Sequence, residues 1–382
     1  MCVYMDHAAT TPMAPEVWEA MKPFASEVFG NASSLHSFGR EARNALERAR
    51  EQVAGLIGAP ADQVIFTSGG TESDNMALCG VALARRDTHR HIVTTAIEHH
   101  AVLETCRFLD QVGFEATYLT VDSDGFVEPQ QVADALRPDT ALVSIMTANN
   151  EIGTIQPIAA ISEVTKEKGV LFHTDAVQAC GAIPIDVAEL GVDLLSMSGH
   201  KLYGPKGIGA LFYKKEVPLE RFHHGGEQER KRRGGTENVQ SAAGMGRACE
   251  LAVENLEQNV PRLEKLRDRL IDGVLNGIEG VRLNGHRTQR LPGNANFSFE
   301  GADSQSLLVN LDLAGIAASN GSACASGSPQ PSHVLPAIGL ESDLARCAIR
   351  FSLGRSNTES EVDYVIEQLN QSVDRIRSAA GG

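Results

Sequence analysis

The sequence predicts an α/β protein: a large domain with a mainly parallel seven-stranded sheet, joined to a smaller α+β domain. Three observations carry this. Between about residues 60 and 215, short apolar runs alternate with helical patterns. Those runs show little in–out alternation, as expected of strands whose sheet is covered by helices on both faces. Beyond about Ser241 the texture changes to one long amphipathic helix, several short elements and a closing helix.

Taken in order, the expected strands are Val64–Thr67, His91–Thr95, Ala116–Val121, Ala141–Met146, Val170–Thr174, Asp193–Met197 and Ile208–Tyr213. The helical patterns between them are Glu72–Arg85, Ala101–Gln111, Pro129–Leu136 and Ile158–Lys168, the last stopped by Gly169. Downstream come a long helix from near Ala248 to Leu275, then Asn296–Phe299, Ser304–Leu313, Ile316–Ser319, Ala348–Ser352 and a closing helix at Thr358–Arg377. The large domain is therefore expected over residues 15–248, and the small one over residues 1–14 and 249–382. Ser319–Ser332 is rich in Gly, Ser and Pro within otherwise ordered sequence, which predicts a mobile, functional loop. Trp18 and the phenylalanines read as core.

Composition narrows the function. A formal charge of −15 over 382 residues disfavours nucleic acid and anionic membranes, which reward clustered Lys and Arg. Arg230-Lys231-Arg232-Arg233 interrupts that picture, as a solvated loop or an anion-facing run. No apolar stretch reaches the roughly 18 residues of a membrane helix. The N-terminus, Met1-Cys2-Val3-Tyr4-Met5-Asp6, lacks the basic and apolar regions of a secretory signal. Seven cysteines without a CxxC pair form neither a disulfide framework nor a zinc ribbon, so a cytoplasmic protein with mostly buried thiols is expected. His223-His224 and the scattered cysteines lack metal-site spacing, and no resident metal is expected.

Several segments carry chemistry. Ser198-Gly199-His200-Lys201 follows the strand Asp193–Met197. A lysine beside a strand's carboxyl end can form an imine with an aldehyde cofactor, while Ser198 and His200 can donate hydrogen bonds to an adjacent phosphate. Taken alone, Lys201 reads more readily as a surface lysine in a Gly/Pro turn. His173-Thr174-Asp175-Ala176-Val177-Gln178 closes another strand. A carboxylate at 175 would keep a pyridine ring nitrogen protonated, and Gln178, on the same face of a helical turn, could reach the ring's 3-oxygen. Asp175 could instead be a helix cap.

Thr67-Ser68-Gly69-Gly70-Thr71-Glu72-Ser73 joins a strand to a helix, so Gly70 and Thr71 can present backbone N–H groups and a hydroxyl to a phosphate. Glu72 and Asp74 must then point away from the anion. In Glu98-His99-His100, one imidazole at most should face a site, where it can stack on a pyridine ring and move protons. Asn149-Asn150 is either a turn or an amide contact to ring substituent or substrate.

In this order, the segments resemble the cysteine desulfurases of the NifS/IscS type, within the class-V aminotransferase-like pyridoxal enzymes of fold type I. The resemblance spans nearly the whole chain, from Tyr4-Met5-Asp6-His7-Ala8-Ala9-Thr10-Thr11 and Phe29-Gly30-Asn31-Ala32-Ser33-Ser34-Leu35-His36 to Arg233-Gly234-Gly235-Thr236-Glu237-Asn238, Gly321-Ser322-Ala323-Cys324 and Arg350-Phe351-Ser352-Leu353-Gly354-Arg355. It implies pyridoxal 5'-phosphate as cofactor and conversion of L-cysteine to L-alanine, with sulfur held as a persulfide on Cys324 for iron–sulfur cluster assembly and related pathways. Lys201 is then the Schiff-base lysine, Asp175 the ring-nitrogen partner, Gln178 the 3-oxygen contact and His99 the stacking, proton-exchanging histidine. Gly70, Thr71, Ser198 and His200 form the phosphate cup. Thr236 reaches the phosphate of a second subunit, implying a homodimer and placing the basic run near an active-site mouth.

Asn150 contacts cofactor and substrate, and Arg350 anchors the substrate carboxylate, with Arg355 its rival. A sulfur-accepting protein such as an iron–sulfur scaffold is the implied partner, and a transient iron–sulfur contact at Cys324 the one metal role. The chain stops soon after Arg377, which departs from the tailed housekeeping members and leans toward a nitrogenase-associated or minimal form. An aminotransferase, a selenocysteine lyase and a non-catalytic iron–sulfur scaffold are the alternatives.

Overall fold

The computed structural model describes residues 2–321 and 332–380. Its strands are β1 (Val3–Tyr4), β2 (Val64–Thr67), β3 (His91–Thr95), β4 (Glu115–Leu119), β5 (Thr140–Ser144), β6 (Leu171–Asp175), β7 (Leu194–Ser198), β8 (Gly209–Tyr213), β9 (Val281–Asn284), β10 (Asn294–Phe299), β11 (Ile316–Ala317) and β12 (Ala348–Ser352). The helices that matter here are α1 (Pro15–Met21), α2 (Ser37–Leu56), α3 (Gly70–Arg85), α4 (His100–Gln111), α5 (Pro129–Ala135), α6 (Ile158–Glu167), α7 (Val239–Gly277), α8 (Ser304–Leu313) and α9 (Glu359–Ala380).

Seven strands form the central sheet in the order β2-β8-β7-β6-β5-β3-β4. Helices α3 to α6 occupy the crossovers that parallel strands require. Strand β8 alone runs antiparallel, to both β2 and β7. Its connection from β7, residues 199–208, carries no crossover helix, so the chain doubles back, and that short return holds Lys201. Strands β2, β3, β5, β7 and β8 are buried at every position, which explains their unalternating sequence. Edge strand β4 keeps exposed residues.

One core, with Val93, Val143, Phe172, Leu195 and Phe212, lies under α2 and the first part of α7. A second, with Ile65, Leu78, Val102 and Leu142, lies under α3 and α4. A third packs β10 and β12 against the end of α7 and α9. The sequence pattern missed α2 because its buried stripe is mainly alanine: Ala42, Ala45, Ala49 and Ala54 beside Leu46 and Val53. Helix α7 begins at Val239, not near Ala248. Gly246 is a close-packing position where a Cβ would meet Ala49 Cα at 2.9 Å. The helix runs unbroken through residue 248, with Met245 and Cys249 in the first core and Leu266, Leu270 and Val274 in the small one.

The aromatic expectation fails in part. Phe66, Phe172, Phe212, Phe297 and Phe351 are core, but Trp18, Phe29, Phe38, Phe108 and Phe222 are exposed. Hydrophobic type favours burial without enforcing it, and Phe29 and Phe38 pack on each other with ring centroids 5.5 Å apart. Cys79, Cys106, Cys180 and Cys249 are buried. No helix among the described residues is long and apolar enough to cross a membrane.

Candidate active site

In open α/β sheets, ligands collect beyond the carboxyl ends of the strands. Here Thr67, Asp175 and Ser198 are the last residues of β2, β6 and β7, and His99 and Asn150 follow β3 and β5. All but Thr67 line one cleft, together with Gly70, Thr71, Gln178, His200, Lys201 and Arg350.

Lys201 is set by a tight turn. Leu202 and Gly204 donate backbone hydrogen bonds to the Gly199 carbonyl, and Tyr203 takes a left-handed φ of 61°. Such strain in a side-chain-bearing residue persists only where its surroundings enforce it. The Tyr203 hydroxyl accepts from Arg355 N at 2.8 Å, and the Arg355 guanidinium lies 4.1 Å over its ring. The N-terminal segment straps this turn down. Thr11 N donates to the His200 carbonyl, Lys201 Nζ donates to the carbonyls of Ala8 and Ala9, and Gln178 Nε2 donates to Ala8 O at 3.0 Å.

Asp175 closes β6 and is buried. Its Oδ1 accepts from Val177 N at 2.9 Å, an Asx turn that brings Gln178 round to the cleft. Burial raises its pKa above the usual carboxylate range, while the Val177 N–H and the charge of Lys201 pull it back.

The end of the cleft expected to take a phosphate is built at the start of α3. A Cβ on Gly209 of β8 would meet Gly69 Cα at 2.7 Å, so the bare backbone of β8 lets this loop sit tight against the sheet. An adjoining recess brings Gly70, Thr71, Ser198 and His200 together with Lys206, a cation the sequence reading passed over. Glu72, expected to point away, lines this recess as well, its carboxylate engaged by Ser68 N at 2.8 Å and Arg233 Nε at 2.8 Å. Asp74 does not point away either. It is one of the cleft's own walls, 1% exposed. The helical period sends positions 72 and 74 to different faces, and 74 falls on the inward one.

Of the paired histidines, His99 faces the cleft, its Nδ1 accepting from Ala101 N at 3.1 Å. Burial, then the charge of Lys201, lowers it to about 4, so it is neutral near pH 7. His100 packs on His333, 4.8 Å away. Asn149 makes the turn, accepting from Glu151 N and Ile152 N, and leaves Asn150 on the cleft.

Arg350 and Arg355 are separated. Arg350, 1% exposed on β12, lines the cleft, whereas Arg355 lines a neighbouring cavity behind Lys201. Thr236 is exposed and lies outside the cleft of this chain. The basic run is largely spent on internal partners: Arg230 on Glu47, Lys231 on Glu227 and Arg233 on Glu72. Cys324 lies outside the described residues.

A flat, anionic, ring-nitrogen-bearing cofactor fits this donor set. A buried carboxylate stands at one end, a helix start with hydroxyl, imidazole and ammonium donors at the other, and a lysine amine between them.

Residues 3–365 match the model of the aminotransferase class-V family. A cysteine desulfurase IscS of Dictyoglomus turgidum is 54% identical over 98% of this chain and 95% of its own. The chain belongs to the cysteine desulfurases of the class-V aminotransferase family. A solved NifS-like protein superimposes on this desulfurase with a TM-score of 0.92 at 40% identity, covering 98% of this chain and 100% of that one. A structure titled SspA in complex with cysteine does so with a TM-score of 0.83 at 39% identity, covering 92% and 98%. Desulfurases of this family depend in general on pyridoxal phosphate. These relatives do not favour the aminotransferase, selenocysteine lyase or scaffold readings.

Proposed function

We propose that this chain converts L-cysteine and the Cys324 thiol to L-alanine and a Cys324 persulfide, with pyridoxal 5'-phosphate held in the cleft around Lys201. The observation that carries the reading is the convergence of Lys201, Asp175 and Arg350 from three distant stretches of sequence on one cleft. Asp175 would hold the ring nitrogen, Gln178 and Asn150 the ring oxygen, and Gly70, Thr71, Ser198 and His200 the phosphate. His99 would stack on the ring.

When bound, the cofactor supplies an electron sink for the carbanion at the substrate's Cα. Lys201 would hold it through its amine, and that amine would carry the Cα proton as general base. Arg350 pairs with the substrate carboxylate and fixes its orientation. His99, neutral near pH 7, exchanges protons within the cleft. Cys324 attacks as the thiolate: a new S–S bond forms, the substrate C–S bond breaks, and the departing electron pair stays on carbon, which takes up a proton. The hydroxyl of Thr236 serves the phosphate of a second copy, making the working form a homodimer. The persulfide is then passed to a sulfur-accepting protein such as an iron–sulfur scaffold, in the cytoplasm.

Supplying purified protein with pyridoxal phosphate, cysteine and a thiol reductant tests the reading. Alanine and sulfide should appear in equal amounts. Alanine without sulfide, or pyruvate in its place, would overturn it.

A further inference from the structure

Asp74 is buried on α3, in the wall of the cofactor cleft. One of its carboxylate oxygens, one of Asp175 and one ring nitrogen of His99 all lie within 4.8 Å of one another. Asp74 Oδ1 has no hydrogen-bond partner among the described residues. His173 Nε2 stands 3.7 Å from it, but both His173 nitrogens are engaged at 2.9 Å, by the hydroxyls of Ser144 and Ser196. Burial lowers His173 to about 3, so it is neutral and offers Asp74 no charge.

The groups facing this carboxylate can be named from every side. Asp175 and neutral His173 come from β6, Ser196 from β7, Lys201 from the turn after β7, and Glu98 and His99 from the segment before α4. Glu98 is itself pushed up to about 8 by burial. Lys201 is the one cation in this set, and its charge favours the ionised form of Asp175.

Two carboxylates this close, away from water, do not both ionise. A protonated ring nitrogen can neutralise one of them. Burial and the charge of Asp175 push Asp74 up strongly, the Ser196 hydroxyl offsetting part of that, whereas Val177 N–H and Lys201 support the anion at Asp175.

We infer that Asp74 is a positioning residue that works as a neutral carboxylic acid: it keeps the pair's one proton, so that the single negative charge rests on Asp175 and faces the cofactor's ring nitrogen. The inference rests on the reading of Asp175 as the ring-nitrogen partner. It also accounts for the burial of Asp74, which as a second anion would oppose every negative charge the reaction develops.

The test uses the whole cofactor-loaded protein carrying 13C-carboxyl aspartate, so that Glu98 is silent. One aspartate carboxyl signal should sit at the protonated position near neutral pH and vanish in Asp74→Asn. Pyridoxal phosphate affinity, measured by equilibrium dialysis, should fall about tenfold or more in Asp74→Ala and be largely restored in Asp74→Asn, which keeps shape and neutrality. The absence of a protonated aspartate signal would overturn the inference. So would an Asp74→Asn variant that binds cofactor as weakly as Asp175→Asn, since that would mean position 74 works as an anion. An Asp175→Asn variant that binds cofactor like the parent would instead defeat the underlying reading of Asp175, whatever the Asp74 variants do.

Discussion

Arg350 Nη2 lies 2.8 Å from Asp6 Oδ1, and Arg350 Nη1 donates to the Asn150 carbonyl at 3.0 Å. A guanidinium this buried needs a counter-charge, and Asp6 supplies it from the N-terminal strap. Asp6 thereby holds Arg350, and its neighbours Ala8 and Ala9 hold the Lys201 amine.

Truncating one partner of a buried charged contact costs about 2–5 kcal/mol, or roughly 30- to several-thousand-fold. Arg350→Ala should lower kcat/KM for cysteine by that amount while pyridoxal phosphate still binds. Asp6→Asn should raise KM by about tenfold, since the guanidinium survives but is less well held. Arg355→Ala, in the neighbouring cavity, should change KM by less than about fivefold. Steady-state cysteine titrations distinguish the three.

Cys324→Ala should keep its cofactor, bind cysteine and release no sulfide above background. The cofactor's absorbance with and without cysteine, read beside a sulfide assay, checks this. Full sulfide output would remove Cys324 from the chemistry.

Glu98 is fully buried, accepts from Thr95 Oγ1 at 2.6 Å and Met146 N at 3.0 Å, and is raised by burial from 4.5 to about 8. Between those values the native protein holds a proton that the unfolded chain has released, so this group makes stability fall as pH rises through that window. Thermal unfolding of Glu98→Gln, whose amide is neutral throughout, should show a flatter dependence between about pH 5 and pH 8 than the parent. Parallel curves would contradict the assignment.

Arg50 and Glu229 form a buried pair, with Arg50 Nη1 2.6 Å from Glu229 Oε2. The same oxygen accepts from Phe66 N at 3.0 Å, which ties the segment leading to Thr236 onto β2. Glu229, Arg230 and Lys231 all hold left-handed φ values of 42°, 54° and 68°, and this contact keeps them there. Removing either charge alone should cost about 3–5 kcal/mol, and replacing both with apolar residues of similar size should cost less. Urea unfolding of the two single variants and the double variant measures this.

Much of this site was legible in the sequence because its parts sit at strand ends, where burial makes strands readable and the turn residues name themselves. His91–Thr95 and Val64–Thr67 need no adjustment, and Lys201, Asp175, Gln178 and His99 come together as expected. What the sequence hid is what depends on facing. Asp74 and Glu72 look alike in the chain, and only the turn of α3 sends one to Arg233 and the other to Asp175. Nothing local marks Asp6, since its pairing with Arg350 spans 344 positions. Helix α2 was missed because alanine gives a faint apolar stripe.

The central claim is that the Lys201 amine carries the cofactor. Borohydride reduction of the protein in the presence of pyridoxal phosphate, followed by peptide mapping in a mass spectrometer, tests it directly. The cofactor's mass should be fixed on the peptide containing Lys201 and absent from a Lys201→Ala protein. Labelling of another lysine, or equal labelling of that variant, would contradict the account.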